Sequence, residues 1–166
     1  MADMFLALTD VQGESLDASH RGEIEIHDWK WKVFHVAPFR LSEADGTKQG
    51  SADHITIDKW FDRASVTLMN LCTHGKQIAK GKITCRKNDG DRKVEYLKIE
   101  LTDVKIEHVQ WFGKGEAHGI PEQVELSFFK FKVIYAMQVA DGTLSGPNEF
   151  EFDIPQQKGQ AGKPGK

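Results

Sequence analysis

Cys72 and His74 stand two residues apart in "LMNLCTHGK", Leu68 to Lys76. A thiol beside an imidazole is the equipment of thiol catalysis, and both are ligands for zinc. Position argues against both uses. The segment has helical period, and residues two apart on a helix do not face each other. A reactive thiolate is favoured at a helix N-terminus, where the helix dipole stabilises negative charge, whereas Cys72 lies near the C-terminal end. The reading that fits is a Cys72 packed on the helix's apolar stripe and a His74 close to the last carbonyls.

The remaining histidines, His20, His27, His35, His54, His108 and His118, show no HxxxH or HExxH spacing, and the chain has no CxxC; no metal and no cofactor are implied. "GKGEAHG" sets Glu116 and His118 in a glycine-rich loop. They could act as an acid/base pair, but no accompanying motif supports it, and a solvated loop tip is the better reading. The same loop lacks the GxxxxGK[ST] pattern of a phosphate loop, and no GxSxG occurs. "WKWK", Trp29 to Lys32, interleaves aromatic and basic residues as a single-strand nucleic-acid platform would. In a strand, however, period two sends the tryptophans to one face and the lysines to the other, which is an ordinary core pattern.

The elements that must position these residues are mostly strands. A chain of 166 residues with 39% hydrophobic and 28% charged residues is the size and composition of one globular domain. A net charge of -3 gives no basic face for nucleic acid or an anionic membrane. No apolar run reaches the roughly 18 residues of a membrane span, and the N-terminal residues do not read as a secretory signal. Two cysteines, Cys72 and Cys85, make no disulfide framework.

Alternation marks strands at Met4–Leu8, Glu23–Val36, His54–Trp60, Ala79–Lys87, Val94–Leu101, Val104–Phe112, Val124–Val139 and Glu149–Ile154. Two of them change phase, one near His27 and Asp28, the other between Phe128 and Phe129. A phase change predicts a bulge, a bend, or a strand whose halves bury opposite faces. "KNDGDRK" reads as a hairpin turn. One segment alone has helical period, Asp62–Gly75, with Ala64, Leu68, Leu71 and Cys72 as its stripe, Asp62 as N-cap and Gly75 at C′. Ala37–Asp53 is a long loop of the length that usually serves function. The tail from Pro155 to Lys166 is expected to be disordered. The predicted architecture is mainly β: a compact barrel of antiparallel strands over residues 1–154 with one flanking helix and a long extended loop.

The ordered series "DMFLALTDVQGES", "EIEIHDWKW", "ITIDKWFDRAS", "LMNLCTHGK", "ITCRK", "VEYLKIEL" and "VELSFFKFKVIY" resembles the haemolysin-coregulated protein (Hcp) family of bacterial type VI secretion, over Ala2 to Ile154. Gln12 stands where the family usually has a basic residue.

The resemblance implies a structural and transport protein rather than an enzyme. Its subunits form hexameric rings that stack into a tube; a contractile sheath surrounds the tube and a VgrG-like spike tips it. The lumen carries effector proteins. The protein would be held in the bacterial cytoplasm before firing and then secreted without a signal peptide; no nucleic acid and no membrane insertion are involved. Ring and stacking contacts are expected from the extended loop: Arg40, Leu41, Ser42, Glu43, Ala44, Asp45, Gly46, Thr47, Lys48, Gln49 and Gly50. Lys30 and Lys32 are candidate lumen-facing residues. The competing readings are a monomeric barrel that binds a small ligand in a closed cavity, and a small hydrolase built on Glu116 and His118 or on Cys72.

Overall fold

Ile55 and Ile57 point inward from one strand and Val124, Leu126 and Phe128 from another, and this alternation repeats around the whole molecule. The computed structural model describes residues 3–36, 49–89, 92–113, 119–139 and 142–162. Its strands are β1 (Asp3–Leu8), β2 (Ile24–Ile26), β3 (Asp28–Lys30), β4 (Val33–Val36), β5 (Gln49–Ala52), β6 (Ile55–Trp60), β7 (Gln77–Asp89), β8 (Arg92–Trp111), β9 (Pro121–Tyr135), β10 (Asn148–Asp153) and β11 (Lys158–Ala161); helix α1 spans Arg63–Thr73. Every strand pairing is antiparallel.

The pairings close into a barrel. β1 pairs β7, β7 pairs β8, β8 pairs β9 and β9 pairs β6. β6 pairs β3, and β1 pairs β2. β2 and β3 are separated by His27 alone, whose amide donates to the Asp58 carbonyl at 2.8 Å. The segment 24–30 therefore hands over from β1 to β6 at His27, and that hand-over is the phase change visible in the sequence. The second phase change has the same cause. The first half of β9 pairs β6 through Ile55↔Leu126, and the second half pairs β10 through Phe152↔Phe131. Phe128 is buried and Phe129 exposed, so the inward set shifts between Leu126 and Phe131.

β8 is one strand where the sequence suggested two. The Thr102–Asp103 junction is a kink, with Asp103 at φ 56, an unusual backbone for a non-glycine residue, to which aspartate is better suited than most. Of the predicted hairpin, Asp89 and Arg92 are register partners, and Gly90 and Asp91 lie outside the described residues.

Leu6, Ile24, Ile55, Ile57, Ile83 and Leu101 are wholly withdrawn from solvent and fill the barrel interior, and Ala64 and Leu68 of α1 join the same core. The closed cavity that a ligand-binding barrel needs is occupied by these side chains. At roughly 25 cal/mol per Å² of apolar surface removed from water, this core is the main source of stability.

The helix starts and stops where expected. Asp62 accepts from the Ala64 amide at 2.9 Å, and Ser65 Oγ accepts from the Asp62 amide at 3.0 Å, a capping box. Gly75, at φ +59, reverses the chain while the Lys76 amide donates to the Leu71 carbonyl.

The tail is a correction. Residues 155–162, expected to be disordered for want of apolar side chains, carry β11, paired to β10 through Phe152↔Gly159 and Phe150↔Ala161. A strand at a sheet edge needs backbone hydrogen bonds first, and a glycine and an alanine opposite two phenylalanines leave room for the rings.

Candidate functional site

Three places combine charge, burial and exposed surface. The first is the junction of β6, β9 and α1. Lys59 follows Ile55 and Ile57 in the inward phase, and Glu122 precedes Val124 in the inward phase of β9. The two are direct register partners. Lys59 Nζ lies 2.6 Å from Glu122 Oε2, 2.7 Å from Asp62 Oδ1, 2.7 Å from the Trp60 carbonyl and 3.0 Å from Ser65 Oγ. Glu122 also accepts from Ser65 Oγ at 2.5 Å and from Trp111 Nε1 at 3.0 Å. Every oxygen of the pair is engaged, which a buried ion pair requires. The cluster ties the helix cap to the barrel wall; Lys59 and Glu122 are fully enclosed at its centre, and Asp62 and Trp111 reach the surface at its rim.

The second place is the outer face of β1 and β7, covered by the segment between β1 and β2. Arg86 is bidentate to Asp17, at 3.0 and 2.6 Å, and reaches Asp3 at 3.0 Å. Its guanidinium lies 4.6 Å from the Phe5 ring centroid, and His20 stacks on Phe5 with centroids 4.3 Å apart. His20 bridges Glu23 at 2.8 Å and Glu95 at 3.0 Å. The Arg86 hydrogen bonds hold the Asp17 carboxyl well below the ordinary carboxylate range, and Lys93 chiefly lowers that of Asp3. Arg86 and Thr84, alternating outward in sequence, are therefore buried, because a loop layer rather than water covers that wall. Leu16 stands at the tip of this layer and is 83% exposed.

The third place is the β4–β5 ladder, where His35 pairs with Gly50 and Val36 with Gln49. Of the expected contact residues, Gln49 and Gly50 open β5, while Arg40 to Lys48 lie outside the described residues. Lys30 and Lys32 are both exposed, with long ion pairs to Asp58 at 3.8 Å and Asp53 at 3.7 Å; such pairs contribute little and leave the ammonium groups available. Trp29 and Trp31 are half-buried against the core; the Trp31 indole meets Phe131 edge-on at 4.8 Å and donates to the Asp53 carbonyl.

Cys72 and His74 are turned to structural uses. His74 Nδ1 faces the Asn70 carbonyl at 3.0 Å and Thr73 Oγ1 at 3.3 Å, closing the helix, while Cys72 packs half-buried against the core. Burial pushes the Cys85 thiol up, away from thiolate chemistry. Glu116 and His118 lie outside the described residues, and among the described residues no cluster of three metal-ligating side chains occurs.

The sequence pattern described as "Type VI secretion system effector, Hcp" matches residues 5–135. Protein hcp1 of Pseudomonas aeruginosa is 33% identical over 155 residues, covering 93% of this chain and 96% of the relative. The chain belongs to the Hcp family of type VI secretion. Solved structures agree in fold. Hcp1 from Salmonella typhimurium superposes with a TM-score of 0.78 at 30% identity, over 96% of this chain and 99% of that one. A type VI secretion system effector from Yersinia pestis gives 0.74 at 32% identity, over 92% and 100%. A further type six secretion system protein reaches 0.87 at 20% identity, a likeness of fold.

Sequence reasoning missed Lys59, Glu122, Arg86 and Asp17. For the first two a signal was present: charges of opposite sign sit in the inward phase of two apolar strands. The contact of Arg86 with Asp17 spans 69 residues of chain and carries no local signature.

Proposed function

We propose that this Hcp-family chain is the subunit of a secretion tube: six copies close into a ring, rings stack, and the tube is driven out by a surrounding sheath behind a spike with effectors in its lumen. The role is steric and mechanical, and the barrel is the rigid brick. The observation that carries the reading is a barrel whose interior is already full while large apolar side chains remain outside it, among them Phe129 at 53% and Phe150 at 42% exposure, with Val66 and Met69 on α1. Apolar surface of this kind, on a family member of type VI secretion, is suited to neighbouring subunits. Lys30 and Lys32 supply the lumen-facing charge, and the extended loop from Arg40 to Gly50 supplies the contacts between subunits or rings.

Negative-stain imaging and light scattering of the purified protein test it. The expected result is rings of six subunits. A strict monomer at high concentration overturns the reading. For the lumen, Lys30→Asp is expected to weaken effector retention in intact rings; unchanged retention removes Lys30 from that role.

A further inference from the structure

The β4–β5 ladder stands apart from the barrel sheet as a separate two-stranded sheet, yet two contacts from the C-terminal segment hold its second strand. Gln157 Nε2 donates to the Gly50 carbonyl at 3.0 Å and to the Ile154 carbonyl at 2.7 Å. Phe152 presses on Gly50: a Cβ at residue 50 would lie 3.1 Å from the tip of that ring. Both gripping residues are in turn fixed by the tail. Gln157 takes φ 54 in the turn that joins β10 to β11. Gly159 is the register partner of Phe152, and a Cβ there would lie 3.0 Å from the ring, so glycine lets Phe152 lie flat across β11. The Gly162 amide closes the ladder on the Glu149 carbonyl at 2.7 Å. At the other end of β5 the grip is different: the Asp53 amide donates to the Lys32 carbonyl, and Trp31 holds the Asp53 carbonyl.

We infer that the segment Ile154–Gly162 is a clasp that locks the base of the extended loop to the barrel, with Gln157 as its positioning residue. A ladder of four residue pairs has little stability of its own. Held only at the Asp53 end it would swing; held at Gly50 as well, its direction is set. Under the tube-subunit reading, on which this consequence rests, the clasp fixes where the loop meets a neighbouring subunit or ring.

Hydrogen exchange on the full-length protein tests the clasp without reference to assembly. Gln157→Ala is expected to speed exchange of the Gly50–Ala52 amides about fivefold, the worth of one net hydrogen bond, with β7–β9 unchanged. Gly159→Val, which forces Phe152 off the tail, should do the same or more. Unchanged exchange at Gly50–Ala52 in both variants, or acceleration spread evenly over the barrel, overturns the clasp. Imaging supplies the second arm. Variants with loosened β5 amides are expected to keep rings and lose stacked tubes; stacks as long as the wild type's overturn the role in assembly. A wild-type protein that forms no rings overturns the tube reading, and the exchange data still decide the clasp.

Discussion

Lys59 Nζ sits 2.6 Å from Glu122 Oε2, and both side chains are fully withdrawn from water inside the barrel. Opposite charges at paired inward positions fix the register of β6 against β9: a one-residue slip would turn the inward set of β6 to the outer face, and a two-residue slip, which keeps the faces, would set Lys59 opposite Val124 or Glu122 opposite Ile57. Removing one partner leaves the other buried and unpaired. Lys59→Met is therefore expected to cost about 3–5 kcal/mol, and the double variant Lys59→Met with Glu122→Leu to cost less than the sum of the two single changes. Urea denaturation of the four proteins measures both quantities; additive losses would rule out direct coupling.

Acid sensitivity should trace to Arg86. Asp17 and Asp3 have folded-state pKa values below the ordinary carboxylate value near 3.9, through the hydrogen bonds of Arg86 and Lys93 respectively. A carboxyl with a depressed pKa contributes stability that is fully present well above its unfolded value and is lost as pH falls toward the folded one. Thermal midpoints should thus fall progressively below about pH 5. Arg86→Gln should lower the midpoint at pH 7 and flatten its decline in acid; parallel curves for the two proteins would refute the assignment.

Gly13 is fixed by close approach. A Cβ there would lie 2.3 Å from the Glu23 carbonyl oxygen, while the Gly13 amide donates to the Gly22 carbonyl at 2.8 Å. Gly13→Ala must separate the two arms of the loop that covers Arg86, at an expected cost of about 1–3 kcal/mol. Denaturation and exchange at Ser15 and Gly22 would show the loss, concentrated in this loop.

The two thiols should differ. Cys72 is half-buried near the end of α1, and Cys85 is enclosed in the wall. A thiol reagent is expected to modify Cys72 in the folded protein and Cys85 only on unfolding. Cys72→Ala should lower stability by about 1 kcal/mol and leave ring formation intact; loss of secretion from a folded, ring-forming variant would restore a chemical role for the thiol.

What could be read from sequence was whatever depends on neighbours along the chain. Asp62 and Gly75 mark the helix because caps are local. The slips at His27 and at Phe128–Phe129 were visible as broken alternation, although what they mean, a strand changing partners, needs the strands that do the pairing. Lys59 and Glu122 stand as opposite charges in the inward phases of two strands, but their pairing spans 63 residues of chain and leaves no local mark. Thr84 and Arg86 fall in the outward phase of β7, where alternation alone would put water, and here a loop covers that face. The tail was misread because its composition predicts too little buried surface, whereas β11 is held by a ladder and two glycine contacts.

The closed wall also sets a timetable for synthesis. Ile55 is paired with Leu126 and Lys59 with Glu122, so β6 stays without that partner until the ribosome has released β9. Contacts this far apart in sequence form late. A nascent chain halted between Gly75 and Gly119 carries β1, β2 and β6 with the ring open and its isoleucines uncovered, a species prone to aggregate. A premature stop in that stretch would therefore yield material for proteases and chaperones, and codons that slow translation there would lengthen the vulnerable interval.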